Sequence, residues 1–344
     1  MARNPAGMNY FTGPIHFVSP DQGWTLCCAR LLESSDGGGT WRQCVHVGLP
    51  PGHLESLYFA TPVHGWVVSL DGFVGRTDDG GRTWETVPLP ENASGRGVFF
   101  VDPRVGWCVG DAGRVFRSDD GGRTWRTSDV GENATLRAVR FADPYTGFAV
   151  AMDHHSPTHD QVATTAYYLW VSGGHRQGSE VHDWLSAERV ATSRGRIYRT
   201  KDGGRTWGRC LDSAGVGLWS VSVPTATAVR AGGDAFAASD DGGNTWTVSG
   251  SRTGGVDFWT PLIGCVSGYG SVWFTEDGGR VWRESQATGT AGRHVRFADD
   301  RHAWATMGNS SGTATILASS DGGRNWETRC PYIPFVPQEG GESA

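Results

Sequence analysis

No window of this 344-residue chain approaches 18 consecutive apolar residues, so nothing in it reads as a membrane-spanning helix. The first ten residues, Met1-Ala-Arg-Asn-Pro-Ala-Gly-Met-Asn-Tyr10, lack an apolar core and a lipobox-like cysteine, so no secretory signal is expected. Basic runs are missing too. The 30 Lys and Arg against 36 Asp and Glu leave a formal charge of −6, which speaks against a nucleic-acid surface. Neither His-Glu-x-x-His nor Cys-x-x-Cys occurs, no Ser-His-Asp arrangement is recognisable, and no glycine loop is free to cradle a phosphate. The seven cysteines (Cys27, Cys28, Cys44, Cys108, Cys210, Cys265 and Cys330) are odd in number and scattered, which suits free thiols in a reducing compartment. The expectation is a cytoplasmic protein with no nucleic-acid partner and no membrane span.

What the chain has in abundance is glycine, at 51 residues, and tryptophan, at 16. Both are concentrated in an octamer written seven times, as in Ser118-Asp119-Asp120-Gly121-Gly122-Arg123-Thr124-Trp125. The copies end at Trp41, Trp84, Trp125, Trp207, Trp246, Trp282 and Trp326, and each keeps Ser or Thr first, Asp third, Gly fourth and fifth. Such a segment is a turn. Its Asp accepts hydrogen bonds from backbone N–H groups one or two residues on, its glycines permit positive φ, and its Trp ring clamps the turn onto a sheet. The third-position aspartates, Asp36, Asp79, Asp120, Asp202, Asp241, Asp277 and Asp321, follow one another by 43, 41, 82, 39, 36 and 44 residues. A period near 40 indicates a repeat fold, with one doubled step to explain.

The pattern Ser/Thr-x-Asp-Gly-Gly-x-Thr-Trp resembles the Asp-box, or BNR repeat, of sialidases, oligoxyloglucan hydrolases, sortilin-type receptors and photosystem II assembly-factor propellers. The fuller unit Phe100-Val-Asp-Pro-Arg-Val-Gly-Trp-Cys-Val-Gly-Asp-Ala-Gly-Arg-Val-Phe-Arg-Ser118, running into its octamer, is most similar to the assembly-factor kind. The resemblance implies an all-β fold, a seven-bladed β-propeller with four-stranded blades and Asp-box turns, and it spans nearly the whole chain. It leaves function open, because such propellers host enzymes, receptors and assembly factors. The arginine-rich patch of the assembly factors is not written here as a cluster: the arginines come one per octamer, at Arg82, Arg123, Arg205, Arg280 and Arg324. Of the Arg-Ile-Pro element of sialidases there is only Arg196-Ile-Tyr198, inside a third strand.

Seven apolar-x-apolar segments head the repeats: Ile15-His-Phe17, Leu57-Tyr-Phe59, Val98-Phe-Phe100, Val139-Arg-Phe141, Val221-Ser-Val223, Val256-Asp-Phe258 and Val295-Arg-Phe297. Second strands begin near Trp24, Trp66, Trp107, Phe148, Ala228, Cys265 and Trp304, commonly after a glycine that ends the preceding turn. The blades are expected at about 14–47, 53–90, 96–130, 136–211, 217–250, 254–286 and 292–332, with 333–344 a flexible tail. The doubled step falls in blade 4, where residues 152–194 are read as an insertion between its second and third strands. That joint lies on the face opposite the octamers, where long loops on a rigid scaffold concentrate function.

Two groups of residues point to chemistry. The insertion carries His154, His155, His159, His175 and His182, with Asp153, Asp160 and Asp183 among them. His154, His155, His159 and Asp160 form a candidate transition-metal set, the bland alternative being a solvated polar loop. Trp170 and Trp184 of the same segment either anchor it to the disc or stack on a ligand. The second group is the middle residue of each first strand, which varies as His16, Tyr58, Phe99, Arg140, Ser222, Asp257 and Arg296. First strands line the central channel, so these residues are either its solvated wall or a funnel in which Arg140 and Arg296 bind a carboxylate or sugar acid. His53, Glu55, Arg96, Arg137, Trp219, Arg293 and His294 would join them from the entry loops.

The sequence therefore reads as a propeller that binds a small molecule or a protein partner in the central funnel opposite the octamers, covered by the His-rich insertion. The alternative is an enzyme in that funnel, either a hydrolase or lyase acting on a sugar or acidic small molecule or a metal-dependent enzyme using the insertion histidines.

Overall fold

The structure, a computed structural model, describes residues 12–27, 30–44, 48–50, 52–154, 159–172, 193–250, 254–308 and 314–330. Blade 1 is built from β1 (Thr12–Phe17), β2 (Gly23–Cys27), β3 (Arg30–Ser34) and β4 (Arg42–Gln43), and blade 2 from β5 (Leu54–Phe59), β6 (Gly65–Ser69), β7 (Phe73–Thr77) and β8 (Glu85–Pro88). Blade 3 comprises β9 (Gly95–Phe100), β10 (Gly106–Gly110), β11 (Arg114–Ser118) and β12 (Arg126–Asp129). Blade 4 has β13 (Leu136–Phe141), β14 (Gly147–His154), β15 (Ser193–Thr200) and β16 (Gly208–Ala214). Blade 5 has β17 (Leu218–Ser222), β18 (Val229–Gly233), β19 (Ala235–Ser239) and β20 (Thr247–Gly250). Blades 6 and 7 use β21 (Gly255–Phe258), β22 (Gly264–Ser267), β23 (Tyr269–Thr275), β24 (Arg283–Phe297), β25 (Ala303–Gly308), β26 (Ala314–Ser319) and β27 (Glu327–Cys330). Strand β24 serves as the outer strand of blade 6 and then the inner strand of blade 7. Strands pair antiparallel in chain order throughout, so this is the all-β, seven-bladed propeller that the repeats predict.

The octamers are the corners between third and fourth strands. In the third one, Asp120 Oδ1 accepts from the N–H groups of Arg123 and Thr124 at 3.1 and 2.9 Å, and Oδ2 from the Thr124 hydroxyl at 2.6 Å. The donors lie three and four residues on rather than one or two, because the Gly121-Gly122 pair, at φ 79° and 85°, folds the chain back over the carboxylate. Ser118 Oγ completes the corner, donating to Asp120 and accepting from the Gly122 N–H. Each turn also hangs on its own blade: the Gly121 N–H donates to Arg104 O in the loop between strands one and two. That loop and the octamer thus share one face of the disc.

Blades are joined by a repeated aromatic latch. The second-strand Trp66 stacks on Phe100 of the next blade with ring centroids 3.5 Å apart, and its Nε1–H donates to Gly121 O of that blade's octamer at 2.9 Å. Trp24 on Phe59 and Gly80 O, and Trp107 on Phe141 and Gly203 O, repeat the arrangement. Trp304 on Phe17 and Gly37 O repeats it between blades 7 and 1, so side chains join the first and last blades, and among the described residues no strand is exchanged between them. The glycine ahead of Trp24, Trp66 and Trp107 has a role beyond ending a turn: a Cβ on Gly106 would lie 2.3 Å from the Phe100 ring, which covers it, whereas Trp304 follows Ala303. At the three remaining interfaces the slot holds Phe148, Arg230 and Cys265. Buried Arg230 donates to Pro261 O of blade 6 and lies over Phe258, doing with a cation what indole does elsewhere.

The third strands add a second latch. Arg76 Nε donates to Gly121 O, Arg117 Nη1 to Gly203 O and Arg199 Nη1 to Gly242 O, each carbonyl belonging to the following blade. The octamer arginines do not form an open basic ring. Arg123 faces Asp78 at 3.5 Å, Arg280 faces Asp240 at 3.9 Å and Arg324 pairs with Glu276 at 2.7 Å, each reaching the acidic residue of the preceding octamer.

Blade 4 is complete without the inserted residues, because β14 and β15 pair directly. They run to eight residues each, three pairs past Ala151↔Arg196 as far as His154↔Ser193, and so stand above the sheet opposite the octamers. The segment they carry includes a helix, α1 (His159–Ser172), where the sequence reading anticipated only a loop. At the stalk's base Arg196, 6% exposed, is held by Glu132 at 2.6 Å and by Asp153, while Tyr198 donates to Glu132 at 2.9 Å.

Candidate functional site

The first strands line the axis, and their register separates the expected site residues into two levels. The lower level consists of the middle residues, which sit one pair from the octamer-side turn, as Arg140↔Phe148 and His16↔Trp24 show. The upper level is made by β-bulges at the opposite end. Between Leu54↔Ser69 and Ser56↔Val68 the inner strand has one residue too many, and that residue is Glu55. The same slip falls on Arg96 in β9, Arg137 in β13, Trp219 in β17 and Arg293 in β24. A bulge adds local twist and re-aims its side chain, so Glu55, Arg96, Arg137 and Trp219 are presented as non-core residues at one mouth of the channel. The levels are three residues apart, roughly 10 Å at the usual strand rise. The candidates thus form two layers rather than one funnel wall.

The lower level is largely self-satisfied. His16 Nε2 donates to Phe59 O at 2.7 Å, and burial with the nearby Arg296 charge pushes its pKa down to about 3, so the ring is neutral. Its ring lies 4.6 Å from Tyr58, which lies 5.0 Å from Phe99. Burial likewise raises the Tyr58 phenol. On the other side Ser222 donates to Asp257 at 3.0 Å and Arg296 meets the same carboxylate at 3.2 Å, its second oxygen accepting from the Phe297 N–H. Arg296 is therefore already paired and does not form an open anion clamp with Arg140. Arg140 is different. It donates to Val139 O, spreads over Phe99 at 5.3 Å and Tyr58 at 6.0 Å, and has no carboxylate in contact among the described residues. Burial, helped by Arg296, lowers its pKa to about 9.

The upper level is charged and loosely paired. Glu55 Oε1 lies 3.9 Å from Arg96 Nη1 and 3.9 Å from Arg137 Nη1. A contact from blade 2 to blade 4 passes in front of blade 3, which puts the trio over the channel mouth. Arg96 is anchored by a fork on Asp111, at 2.6 and 3.2 Å. Arg137 has its Nε buried with no hydrogen-bond partner, and burial and the Arg96 charge lower its pKa. His53 sits at the rim, exposed, its backbone N–H on Asp71 at 2.7 Å and its ring 3.6 Å from that carboxylate. Trp219 and His294 are half-buried on their inner strands, while the Arg293 side chain lies outside the described residues.

Of the expected metal set, His159 and Asp160 open α1 with both side chains exposed and 4.0 Å apart. His155 and the side chain of His154 lie outside the described residues, as do His175, His182, Asp183, Trp184 and the Trp170 side chain. Among the described residues no group of three potential ligands comes together. The fork of Asp111 on Arg96 and the joining of Asp153 with Glu132 and Arg196 are contacts that the sequence did not state. The bulges did leave a trace: Leu136 and Val139 are both buried although three apart, which strict strand alternation forbids.

Residues 8–98 match the family described as photosynthesis system II assembly factor YCF48, and residues 157–190 match a family of unknown function (DUF2934). No curated protein matches the chain in sequence. Among solved structures, YCF48 bound to D1 peptide is 17% identical with a TM-score of 0.63, over 93% of this chain and 96% of that one. YCF48 from Cyanidioschyzon merolae is 16% identical with a TM-score of 0.63, over 92% and 97%. An ancestral GH74 enzyme is 12% identical with a TM-score of 0.65, over 95% of this chain and 47% of its own. At these identities the structures speak for fold alone. The chain is a seven-bladed β-propeller, similar in sequence over residues 8–98 to the YCF48 family and in fold to YCF48 propellers of its own size.

Proposed function

We propose that this propeller binds a protein partner through an acidic segment that enters the channel from the face opposite the octamers. The observation that carries the reading is the incompletely satisfied Arg137 at the mouth, with Arg140 below it lacking a carboxylate in contact among the described residues. A peptide carboxylate would give the part-exposed Arg137 head group an acceptor nearer than Glu55 at 3.9 Å, and charge-assisted hydrogen bonds to guanidinium are among the stronger polar contacts. The Phe99 and Tyr58 faces around Arg140 would accommodate the apolar part of the same segment. Similarity to a propeller solved with a bound peptide supports a peptide as the occupant. The insertion, raised on β14 and β15 at the same face, would form one wall of the mouth. No helix among the described residues is long and apolar enough to cross a membrane.

Fluorescence anisotropy with a labelled tetra-glutamate peptide and its tetra-glutamine counterpart tests this. Tetra-glutamate should bind the more tightly, and Arg137→Gln and Arg140→Gln should each weaken it about tenfold, the loss of one charge-assisted contact. Arg205→Gln, on the octamer face, should leave binding unchanged. Equal binding of the two peptides, or loss only in Arg205→Gln, would refute the site.

A further inference from the structure

We infer that Glu55 is a built-in competitor: a carboxylate of the chain itself that occupies the place of the partner's carboxylate and sets how acidic a partner must be to displace it. The inference rests on the partner-binding reading of the channel mouth. Among Glu55, Arg96, Arg137, Trp219 and Arg293, Glu55 is the one acid, and the bulge in β5 turns it toward the mouth as the bulges in β9 and β13 turn Arg96 and Arg137. Its Oε1 stands 3.9 Å from one nitrogen of each arginine. That distance satisfies a Coulomb contact but is too long for a hydrogen bond, so the carboxylate is near both cations and bonded to neither.

The two arginines are held differently. Arg96 keeps its fork on Asp111 whatever happens at Glu55, so displacing Glu55 does not free it. Arg137 has no such fork: its part-exposed Nη1 faces Glu55 at 3.9 Å, and burial and the Arg96 charge destabilise its guanidinium, so it gains most from an acceptor at full hydrogen-bond distance. An incoming carboxylate on Arg137 would push Glu55 outward, where its side chain, 36% exposed, already meets water. Glu55 would therefore lower affinity for every acidic ligand while favouring those with two adjacent carboxylates, which can take Arg137 and still satisfy Arg96. A purely structural Glu55, needed to hold the two like-charged arginines in place, would have the opposite effect on binding when removed.

The test compares the parent protein with Glu55→Gln, which preserves shape and deletes charge, using labelled tetra-glutamate, mono-glutamate and tetra-glutamine peptides. The variant should bind tetra-glutamate about fivefold more tightly, the size expected for one half-exposed ion pair, and mono-glutamate should gain more than tetra-glutamate. Tetra-glutamine should not change. Weaker or equal tetra-glutamate binding in Glu55→Gln, with the parent still preferring tetra-glutamate over tetra-glutamine, would overturn the competitor and leave the partner site standing. Absence of that preference in both proteins would overturn the partner site itself. Glu55→Asp is the second variant: the shorter side chain withdraws the charge from both arginines, so it should fall between parent and Glu55→Gln.

Discussion

Replacing Trp107 by alanine should open the interface between blades 3 and 4. The indole is fully buried, stacks on Phe141 at 3.5 Å, donates to Gly203 O at 2.9 Å and lies 5.2 Å beneath the Arg117 guanidinium. Truncating a buried aromatic to alanine costs about 3–5 kcal/mol, of which the stacking geometry contributes roughly 1. Trp107→Phe separates the terms. It keeps a ring on Phe141 and removes the N–H, yet Gly203 O still accepts from Arg117 Nη1 at 2.8 Å. No acceptor is stranded, so the cost should be about 1–2 kcal/mol. Because both side chains serve one carbonyl, Trp107→Phe with Arg117→Ala should cost more than the two single changes added together. Urea titration followed by circular dichroism gives the midpoints, with Trp259→Ala, an exposed aromatic, as the control. If Trp107→Ala loses no more than that control, or if Trp107→Phe is as damaging as Trp107→Ala, the latch does not hold the ring as argued.

Lowering the pH should destabilise the fold through His16. Burial holds its folded pKa near 3, below that of an ordinary imidazole, so the unfolded chain binds the extra proton, and stability falls as pH drops from about 6.5 toward 3. His16→Gln should flatten urea midpoints across that range. The octamer carboxylates act lower: Asp120 is held at about 2, so its contribution is present above the ordinary carboxylate range and disappears as pH falls from about 4 toward 2. Asp120→Ala at neutral pH strands the N–H groups of Arg123 and Thr124 and should cost on the order of 1–3 kcal/mol, read as a lowered melting temperature. Gly106→Ala should be worse than its added methyl suggests. The new Cβ would meet the Phe100 ring at 2.3 Å, so about 2–3 kcal/mol of overpacking is expected in the same melting assay.

The seven octamers and their period were enough to predict blade number, because the carboxylate and hydroxyl bonds that shape each turn are made among its own eight residues. The second-strand tryptophans were legible as strand starts, but their partners were not. That Trp66 reads Gly121 O, 55 residues away, follows only from the angle at which blades stack. The glycine before Trp24, Trp66 and Trp107 looked like a turn residue, and the Phe ring lying over it is a cross-strand contact that no local pattern states.

At the site the division is similar. Alignment of the repeats determined that His16, Tyr58 and Arg140 share a position, and put Glu55 and Arg137 on the same face; that the latter two are equivalent bulge residues came from the strand register. The alignment could not tell that these positions lie on two levels, nor that Arg296 is neutralised by Asp257 while Arg140 touches no carboxylate among the described residues. Those outcomes depend on which blade stands beside which, and on bulges that rotate a side chain by adding one residue to one strand. Local chemistry wrote the turns and the strands. The closed ring of blades decided which charges meet, because only ring closure brings residues from blades 2, 4, 6 and 7 to a common axis.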